Sequence, residues 1–258
     1  MAGSQIERTL RLLESLTRDA RGLPMQSLAE QLDIPKSATH RMLAELVRLG
    51  YVRQDPQTSH YRLSTKLVAL SFRYLANSGA DIVQPILDRL AQQTGELVRL
   101  GVIDGERQTW IAKSQGARSG LRYDPDMGRD VPLFYTASGH AWLAELNDVD
   151  ALALIEQQGV ADPAAFGPNA PPSLDELLAH LQRARQQGYA WVTESASIGT
   201  SAVAAAVRHP HENRVIGVLS VAGPTARLSV SRMHELAPQL LVAAQELSEA
   251  SLASELFA

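Results

Sequence analysis

The sequence of 258 residues contains no cysteine, which excludes disulfide bonds, thiolate nucleophiles and cysteine-ligated zinc. It also lacks an apolar run of about 18 residues, the length that a membrane-spanning helix requires. The first residues, MAGSQIERTLRLLESL, carry charges throughout and do not resemble a secretory signal. These absences predict a cytoplasmic protein, and the chain length with its globular composition favours two domains.

Motifs for catalysis and cofactor binding are missing as well. The sequence has neither a phosphate-binding loop nor a dinucleotide fingerprint, and HPH at 209–211 lacks metal-ligand spacing. The segment TASGH at 136–140 imitates only part of the nucleophile elbow G-x-S-x-G of hydrolases. We therefore predict no catalytic residue, no metal site and no cofactor. The alternative is a small-molecule-binding hydrolase that uses Ser138 and a histidine.

Charge is distributed unevenly along the chain. Residues 1–79 carry 11 basic and 7 acidic side chains, whereas residues 80–258 carry 13 basic and 21 acidic side chains. A basic front part on an acidic body is the arrangement expected when only the front part approaches a polyanion. The N-terminal third is therefore the candidate for nucleic-acid binding.

The first 64 residues show the pattern of three helices followed by a hairpin. A capping-box pattern at Ser4 and Glu7 begins the first helix. Its predicted buried stripe consists of Ile6, Leu10, Leu13 and Leu16. MQSLAEQL predicts a second helix, and a third helix runs from near Pro35 to Gly50. The alternating segments YVRQ and HYRL, joined by DPQTS, predict a small β-hairpin.

The third helix has one apolar face and one polar, cationic face. The 3.6-residue period predicts that the inner face holds Thr39, Met42, Leu43 and Leu46. Arg41 on the outer face offers a bidentate fork to guanine or phosphate, and Ala44 is small enough to permit close approach. This pattern is typical of a winged helix-turn-helix domain, whose third helix enters the DNA major groove. The candidate DNA contacts are Lys36, Ser37, His40, Arg41, Ala44 and Arg48 on the helix, and Arg53, His60 and Arg62 on the hairpin.

Three segments, SQIERTLRLLESL, LPMQSLAEQLDIPKSATHRMLAELVRLGYV and YRLSTKLVALS, closely resemble the N-terminal domain of IclR-type bacterial transcriptional regulators. The resemblance implies a ligand-responsive repressor or activator that binds a palindromic operator, commonly that of a catabolic operon. It also implies a homodimer or a dimer of dimers, because members of the family dimerise through the winged-helix domain and the helix after it. That linker helix is predicted at residues 65–79, ending at Asn77, Ser78 and Gly79. Its apolar surface packs either on its own domain or, as the resemblance favours, on a second copy.

Residues 80–258 alternate predicted helices and strands. Helices are predicted at DIVQPILDRLAQQTG, ASGHAWLAEL, SLDELLAHLQRARQQG and from about Ser229 onward. Strands are predicted at ELVRLGVI, RQTWIAKS, SAVAAAVRH and RVIGVLSVAG. The fold class is therefore α+β, in which an N-terminal winged helix-turn-helix domain and a linker helix precede a domain with a mostly antiparallel central sheet.

Within this second part, LRYDPDMGRDVPLFYTASGHAWLAEL, RQQGYAWVTE and VIGVLSVAGPTARLS resemble the effector-binding domain of the same family. The resemblance implies a GAF-like domain that holds a small organic acid, aromatic or carboxylic, between the sheet and the adjacent loops. The domain prediction is thus DNA binding at 1–64, linker at 65–79, and effector binding with oligomerisation at 80–258. A purely architectural DNA-binding protein leaves this last part unexplained. The positions that match the family's pocket are Tyr123, Val131, Ala137, Ser138, Thr200, Ala202 and Ser220.

Overall fold

The computed structural model describes residues 4–77, 80–125, 127–160, 162, 165–212 and 214–257. The chain separates into two compact units, with the boundary between Ala76 and Asn77. Each unit has a hydrophobic core of its own. Within the described residues, no helix is long and apolar enough to cross a membrane.

The first unit is built from short helices and a two-stranded antiparallel hairpin, as the sequence predicts. Its core lies between the first three helices and the hairpin. The elements of this unit are α1 (Gln5–Leu16), α2 (Met25–Gln31), α3 (Lys36–Arg48), β1 (Val52–Gln54), β2 (Tyr61–Leu63) and α4 (Thr65–Asn77).

Helix α1 begins with the predicted cap but buries a different face from the predicted one. Leu12 and Leu16 lie in the core with Leu28 of α2. Ile6 and Leu10 of the predicted stripe are instead 75% and 53% exposed. The helix carries apolar residues on more than one side, and packing against α2 selects the side that contains Leu12. The prediction of a single buried stripe was therefore wrong for its N-terminal half.

Helix α3 follows the predicted division into two faces. Pro35 is the N-cap residue, one position before the helix, and Gly50 follows its end with a φ of 78°. This left-handed conformation favours glycine because it has no Cβ. The buried residues of the helix are the four predicted ones, Thr39, Met42, Leu43 and Leu46.

The second unit is an α+β domain around a five-stranded sheet with strand order β4-β3-β7-β6-β5, in which all neighbouring strands are antiparallel. This architecture is the predicted one. The elements are α5 (Ala80–Thr94), β3 (Leu97–Asp104), β4 (Arg107–Gln115), α6 (Ala137–Leu143), α7 (Asp148–Gln158), α8 (Leu174–Gln187), β5 (Ala190–Thr193), β6 (Thr200–Arg208), β7 (Val215–Pro224) and α9 (Val230–Ala250).

Helices cover both faces of this sheet. The pair α5 and α9 packs on one face, whereas α6 and α8 pack on the other. The second group encloses an apolar core that includes Trp142, Leu143 and Leu181. The sequence pattern did not indicate α7 or β5. Strand β5 has only four residues, and α7 buries only Ala151 and Ile155 within its described span, which is too few positions to give a clear period.

Candidate functional site

Helix α3 presents its polar face to solvent. The exposed residues include all six predicted helix contacts, Lys36, Ser37, His40, Arg41, Ala44 and Arg48. Among the described residues no side chain caps this helix at Pro35, so its first backbone N–H groups can meet an external acceptor. Hydrogen-bond donors, cations and a helix N-terminus together form a surface suited to phosphates and base edges.

Arg48 is already engaged within α3. Its Nε donates to a Glu45 carboxylate oxygen at 2.9 Å, and its Nη2 donates to the other carboxylate oxygen. These hydrogen bonds lower the pKa of the Glu45 carboxyl and raise the pKa of Arg48. Arg48 therefore reaches an external anion only by sharing or releasing Glu45.

The hairpin places two predicted contacts directly opposite each other. Arg53 of β1 and Arg62 of β2 are cross-strand partners. Like charges in such a pair destabilise a hairpin unless an anion lies nearby. Asp55 supplies one anion, because its Oδ2 lies 3.8 Å from Arg62 Nη2. Arg53 is exposed, whereas His60 and Arg62 are half-buried, so Arg53 is the most open of the three side chains.

A cavity of about 450 Å³ lies in the second unit, between the sheet and the loops around α6. The sheet contributes Arg99, Trp110 and Ala202 to its wall, and the loops contribute Tyr123 and Phe166. The cavity volume falls in the usual range for small-molecule sites, about 300–1,000 Å³. We name this space the sheet cavity.

Most of the predicted effector-binding residues lie on the wall of the sheet cavity. They are Tyr123, Ala137, Ser138, Thr200 and Ala202. Val131 and Ser220 are not part of this wall. Val131 is fully buried in the core, and the Ser220 hydroxyl donates to the Arg99 carbonyl oxygen at 3.4 Å. In the structure, Val131 therefore packs in the apolar core and Ser220 bonds to the neighbouring strand β3.

Sequence reasoning missed the most unusual residue of this wall, Arg99. It is the third residue of β3, with 4% of its surface exposed, and its guanidinium carbon lies 3.8 Å from the centre of the Trp110 ring. Burial lowers the pKa of Arg99, and a hydrogen bond with Tyr123 opposes that effect. The signal was present in the segment ELVRLGVI, where one arginine interrupts an apolar strand.

The geometry around Ser138 does not support the hydrolase alternative. His140, the nearest histidine in sequence, is buried, and its Nε2 donates to the Phe134 carbonyl oxygen at 2.9 Å. Burial lowers the pKa of His140 to about 4. Its side chain thus holds the loop before α6 and has no hydrogen bond to Ser138 among the described residues. No group of histidine and acidic residues in the described part of the chain could hold a metal ion.

Helix α4 has an exposed apolar surface. Val68, Phe72 and Tyr74 are 53%, 66% and 61% exposed. At the start of the helix, Lys66 donates to the Leu49 carbonyl oxygen at 2.7 Å, which fixes α4 to the end of α3. The predicted end of the linker at 78–79 lies outside the residues that the structure describes, and the side chain of Leu75, which the predicted apolar surface of the linker includes, lies outside the described side chains.

Comparison with known families assigns both units. The IclR helix-turn-helix domain matches residues 5–56, and the family described as bacterial transcriptional regulator IclR C-terminal matches residues 77–249. The chain is 31% identical over 248 residues to the HTH-type transcriptional regulator XynR of Escherichia coli K12, covering 95% of this chain and 96% of that protein.

Solved structures share the same architecture. An IclR transcriptional regulator from Alicyclobacillus acidocaldarius superposes with a TM-score of 0.82 at 26% identity, covering 97% of this chain and all of that one. An IclR homologue from Microbacterium hydrocarbonoxydans, solved in complex with 4-hydroxybenzoate, gives a TM-score of 0.75 at 21% identity. That match covers 97% of this chain and 100% of the homologue, and it shows a common fold.

Proposed function

Because the chain belongs to the IclR family of bacterial transcriptional regulators, we propose that it binds a palindromic operator through α3 and responds to a small organic acid in the sheet cavity. The observation that carries the DNA-binding part is the cationic outer face of α3, which lies opposite a face made entirely of core residues. Since operator DNA lies in the bacterial cytoplasm, we place the protein there.

The DNA contacts divide into base reading and phosphate binding. Arg41 reads a guanine edge, with Ser37 and His40 beside it on the exposed face, and Ala44 permits the helix to approach the groove closely. Lys36 and the first N–H groups of α3 bind phosphate. The repulsion between the two opposed arginines of the hairpin is relieved when phosphates lie against β1 and β2, with His60 near them.

Operator symmetry requires two copies of the DNA-binding domain, which we assign to residues 1–64. The support for dimerisation is apolar surface that one copy leaves exposed on α1 and α4, including Ile6, Leu10 and Phe72. We assign residues 65–79 as the linker helix and residues 80–258 as the effector-binding and oligomerisation domain. A dimer, or a dimer of dimers, then presents pairs of α3 helices to half-sites about one helical turn apart.

The effector proposal rests on the sheet cavity. Its volume, its aromatic residues and its hydroxyl-bearing wall suit a small molecule with an apolar body and a polar head. The 4-hydroxybenzoate bound by the Microbacterium homologue is a molecule of that kind. An acid with different affinities for two conformations of the dimer shifts their populations and so changes operator binding. We propose a catabolic operon as the target, because the acid in the cavity is then a substrate of the enzymes that the operon encodes.

A mobility-shift titration on the promoter regions flanking its own gene tests the DNA-binding proposal. Arg41→Ala should weaken binding to the operator by about 1–3 kcal/mol, because it removes a bidentate base contact. Lys36→Ala should weaken binding to all sequences alike and reduce the salt slope by about one. Arg11→Ala, an exposed arginine of α1, serves as the control. Unchanged operator affinity in Arg41→Ala means that α3 does not read the bases.

A further inference from the structure

We propose that Arg99 is the specificity-determining anchor of the sheet cavity and receives the carboxylate of the effector, with the indole N–H of Trp110 as a second donor. This inference rests on the proposed function and deepens it, because it names the group that recognises the acid. Both residues line the cavity, and they lie on neighbouring strands, β3 and β4.

Arg99 is a buried cation without a carboxylate partner among the described residues. Its Nε and Nη1 have no hydrogen-bond acceptor there, and neither has Trp110 Nε1. Tyr123 forms a side-chain hydrogen bond with the guanidinium, but it is not a carboxylate. A buried charge that lacks an opposite charge is strongly destabilising, so a fold that keeps one holds it for an anion.

The contact with Trp110 positions the guanidinium but does not provide an acceptor for its N–H groups. A cation over an aromatic face at 3.8 Å gains electrostatic attraction from the ring. That attraction is not a hydrogen bond, and the Arg99 Nε and Nη1 donors still have no acceptor among the described residues. Trp110 therefore holds Arg99 in place for a planar acceptor. A carboxylate matches this fork because it accepts two parallel hydrogen bonds.

Four hydroxyl groups of the cavity wall already form hydrogen bonds within the protein. Thr136 caps α6 by accepting from the Gly139 N–H at 3.0 Å, and Ser197 and Thr200 share a hydrogen bond of 2.8 Å. Ser201 contacts two further hydroxyl groups, at 2.9 and 3.1 Å. By contrast, Arg99 Nε, Arg99 Nη1 and Trp110 Nε1 have no hydrogen-bond partner within the described part of the chain.

The acidic residue of the wall does not replace the ligand. Asp130 accepts a hydrogen bond from the Thr109 hydroxyl at 3.1 Å, and Arg107 lies 3.7 Å from its other oxygen. Asp130 is therefore paired on the outer side of β4. The geometry favours a compact monocarboxylate, with its carboxylate at the Arg99 end of the cavity and its body beside Phe166 and Ala202.

The test uses the full-length chain and matched pairs of acids and primary amides: 4-hydroxybenzoate with 4-hydroxybenzamide, phenylacetate with phenylacetamide, and lactate with lactamide. Binding is measured by thermal shift and then by calorimetry. At least one acid should raise the melting temperature of the wild-type protein, while its amide should not. Arg99→Met should weaken binding of that acid by about 10- to 100-fold, because a charge-assisted hydrogen bond is lost.

Arg232→Met is the matched control, because Arg232 is an exposed arginine of α9 that pairs with Glu235 and lies outside the cavity wall. It should bind the acid as the wild-type protein does. Trp110→Phe keeps an aromatic ring beside the guanidinium and removes the indole N–H. Its loss of affinity for the acid should therefore be smaller than the loss in Arg99→Met. Arg99→Lys should recover only part of the affinity, because an ammonium cannot form the planar fork.

A second readout separates ligand binding from a structural role. Arg99→Met removes an uncompensated buried charge, so the ligand-free variant should melt at a higher temperature than the wild-type protein. A lower melting temperature would mean that Arg99 stabilises the fold, and the proposal would be overturned. The proposal is also overturned if the amides bind as tightly as the acids, or if Arg99→Met binds the acid with the affinity of the wild-type protein. If no acid shifts the wild-type protein, the acid-responsive function itself fails, while operator binding is still measured independently.

Discussion

At the scale of single residues, Glu45 limits the proposed DNA surface. It holds Arg48 on the exposed side of α3 and adds a negative charge where phosphates approach. Glu45→Gln should release Arg48, tighten binding to DNA of any sequence and steepen the salt dependence by about one unit, because one more cation meets the backbone. Fluorescence anisotropy over a range of KCl concentrations measures both effects.

The control for this change is Glu14→Gln. Glu14 is an exposed carboxylate on α1, so its neutralisation alters the net charge by the same amount at another place in the domain. If both variants gain the same DNA affinity, the effect comes from total charge, and Arg48 has no specific part in binding.

The buried His140 predicts a pH dependence of stability in the second unit. Burial keeps its pKa near 4 in the folded state, below the value of 6.5 that applies to an unperturbed histidine. The unfolded chain therefore binds a proton in this interval that the folded chain does not bind. Stability contributed by neutral His140 is complete above pH 6.5 and is lost as the pH falls towards 4, by up to about 3 kcal/mol.

Urea unfolding between pH 4.5 and 7.5 measures this effect. The tryptophans of the chain, at positions 110, 142 and 191, all lie in the second unit, so their fluorescence reports that unit. His140→Gln retains a donor for the Phe134 carbonyl and cannot titrate, so its stability should depend less on pH. The exposed His211→Gln should keep the wild-type slope. Equal slopes in all three proteins would assign the pH dependence to other groups.

At the scale of elements, α4 carries the proposed dimer contact. Its apolar residues remain exposed in one copy, and an isolated helix of this length is marginal without a partner. Phe72→Asp should shift the protein towards monomer in light scattering and weaken operator binding, because a dimer binds two half-sites at once. Ser71→Asp is the control, because it places the same charge on the same helix at an exposed polar residue about 100° away around the helix axis, and it should leave the dimer intact. A dimer unaffected by Phe72→Asp would exclude this surface from the interface.

The elements also show what the sequence could predict and what it could not. The two faces of α3 and the antiparallel strands of the sheet follow from period and turn residues, so local patterns were sufficient there. The buried face of α1 depends on contacts with α2, because Ile6 and Leu12 are equally apolar in sequence. In the sequence, Arg99 is one residue of a predicted strand, and its contact with Trp110 forms only when β4 pairs with β3. Contacts between separate segments of the chain therefore explain both the wrong buried face of α1 and the failure to identify Arg99.

At the scale of the whole molecule, a regulator must couple two compact units whose charges differ in sign. Coupling is reciprocal in binding free energy: if the acid weakens operator binding by some factor, the operator weakens acid binding by the same factor. For couplings of the usual size this factor is about 5 to 150. We therefore take the acid that gives the largest thermal shift and measure its affinity at saturating operator. If the acid weakens operator binding, its affinity should fall by the same factor; if it strengthens operator binding, its affinity should rise by that factor.

This reciprocity can be measured by titrating the acid into the free protein and into the operator complex. Trp110 lines the sheet cavity, so its fluorescence should respond to ligand binding. Arg99→Met should bind the operator as the wild-type protein does, because the substitution lies in the second unit, yet its operator affinity should no longer respond to the acid. If the acid changes operator affinity in the wild-type protein but the operator leaves acid affinity in the cavity unchanged, the acid acts from another site. A cavity ligand with equal affinity for both conformations cannot shift the equilibrium between them, so only an acid that passes this test is the effector.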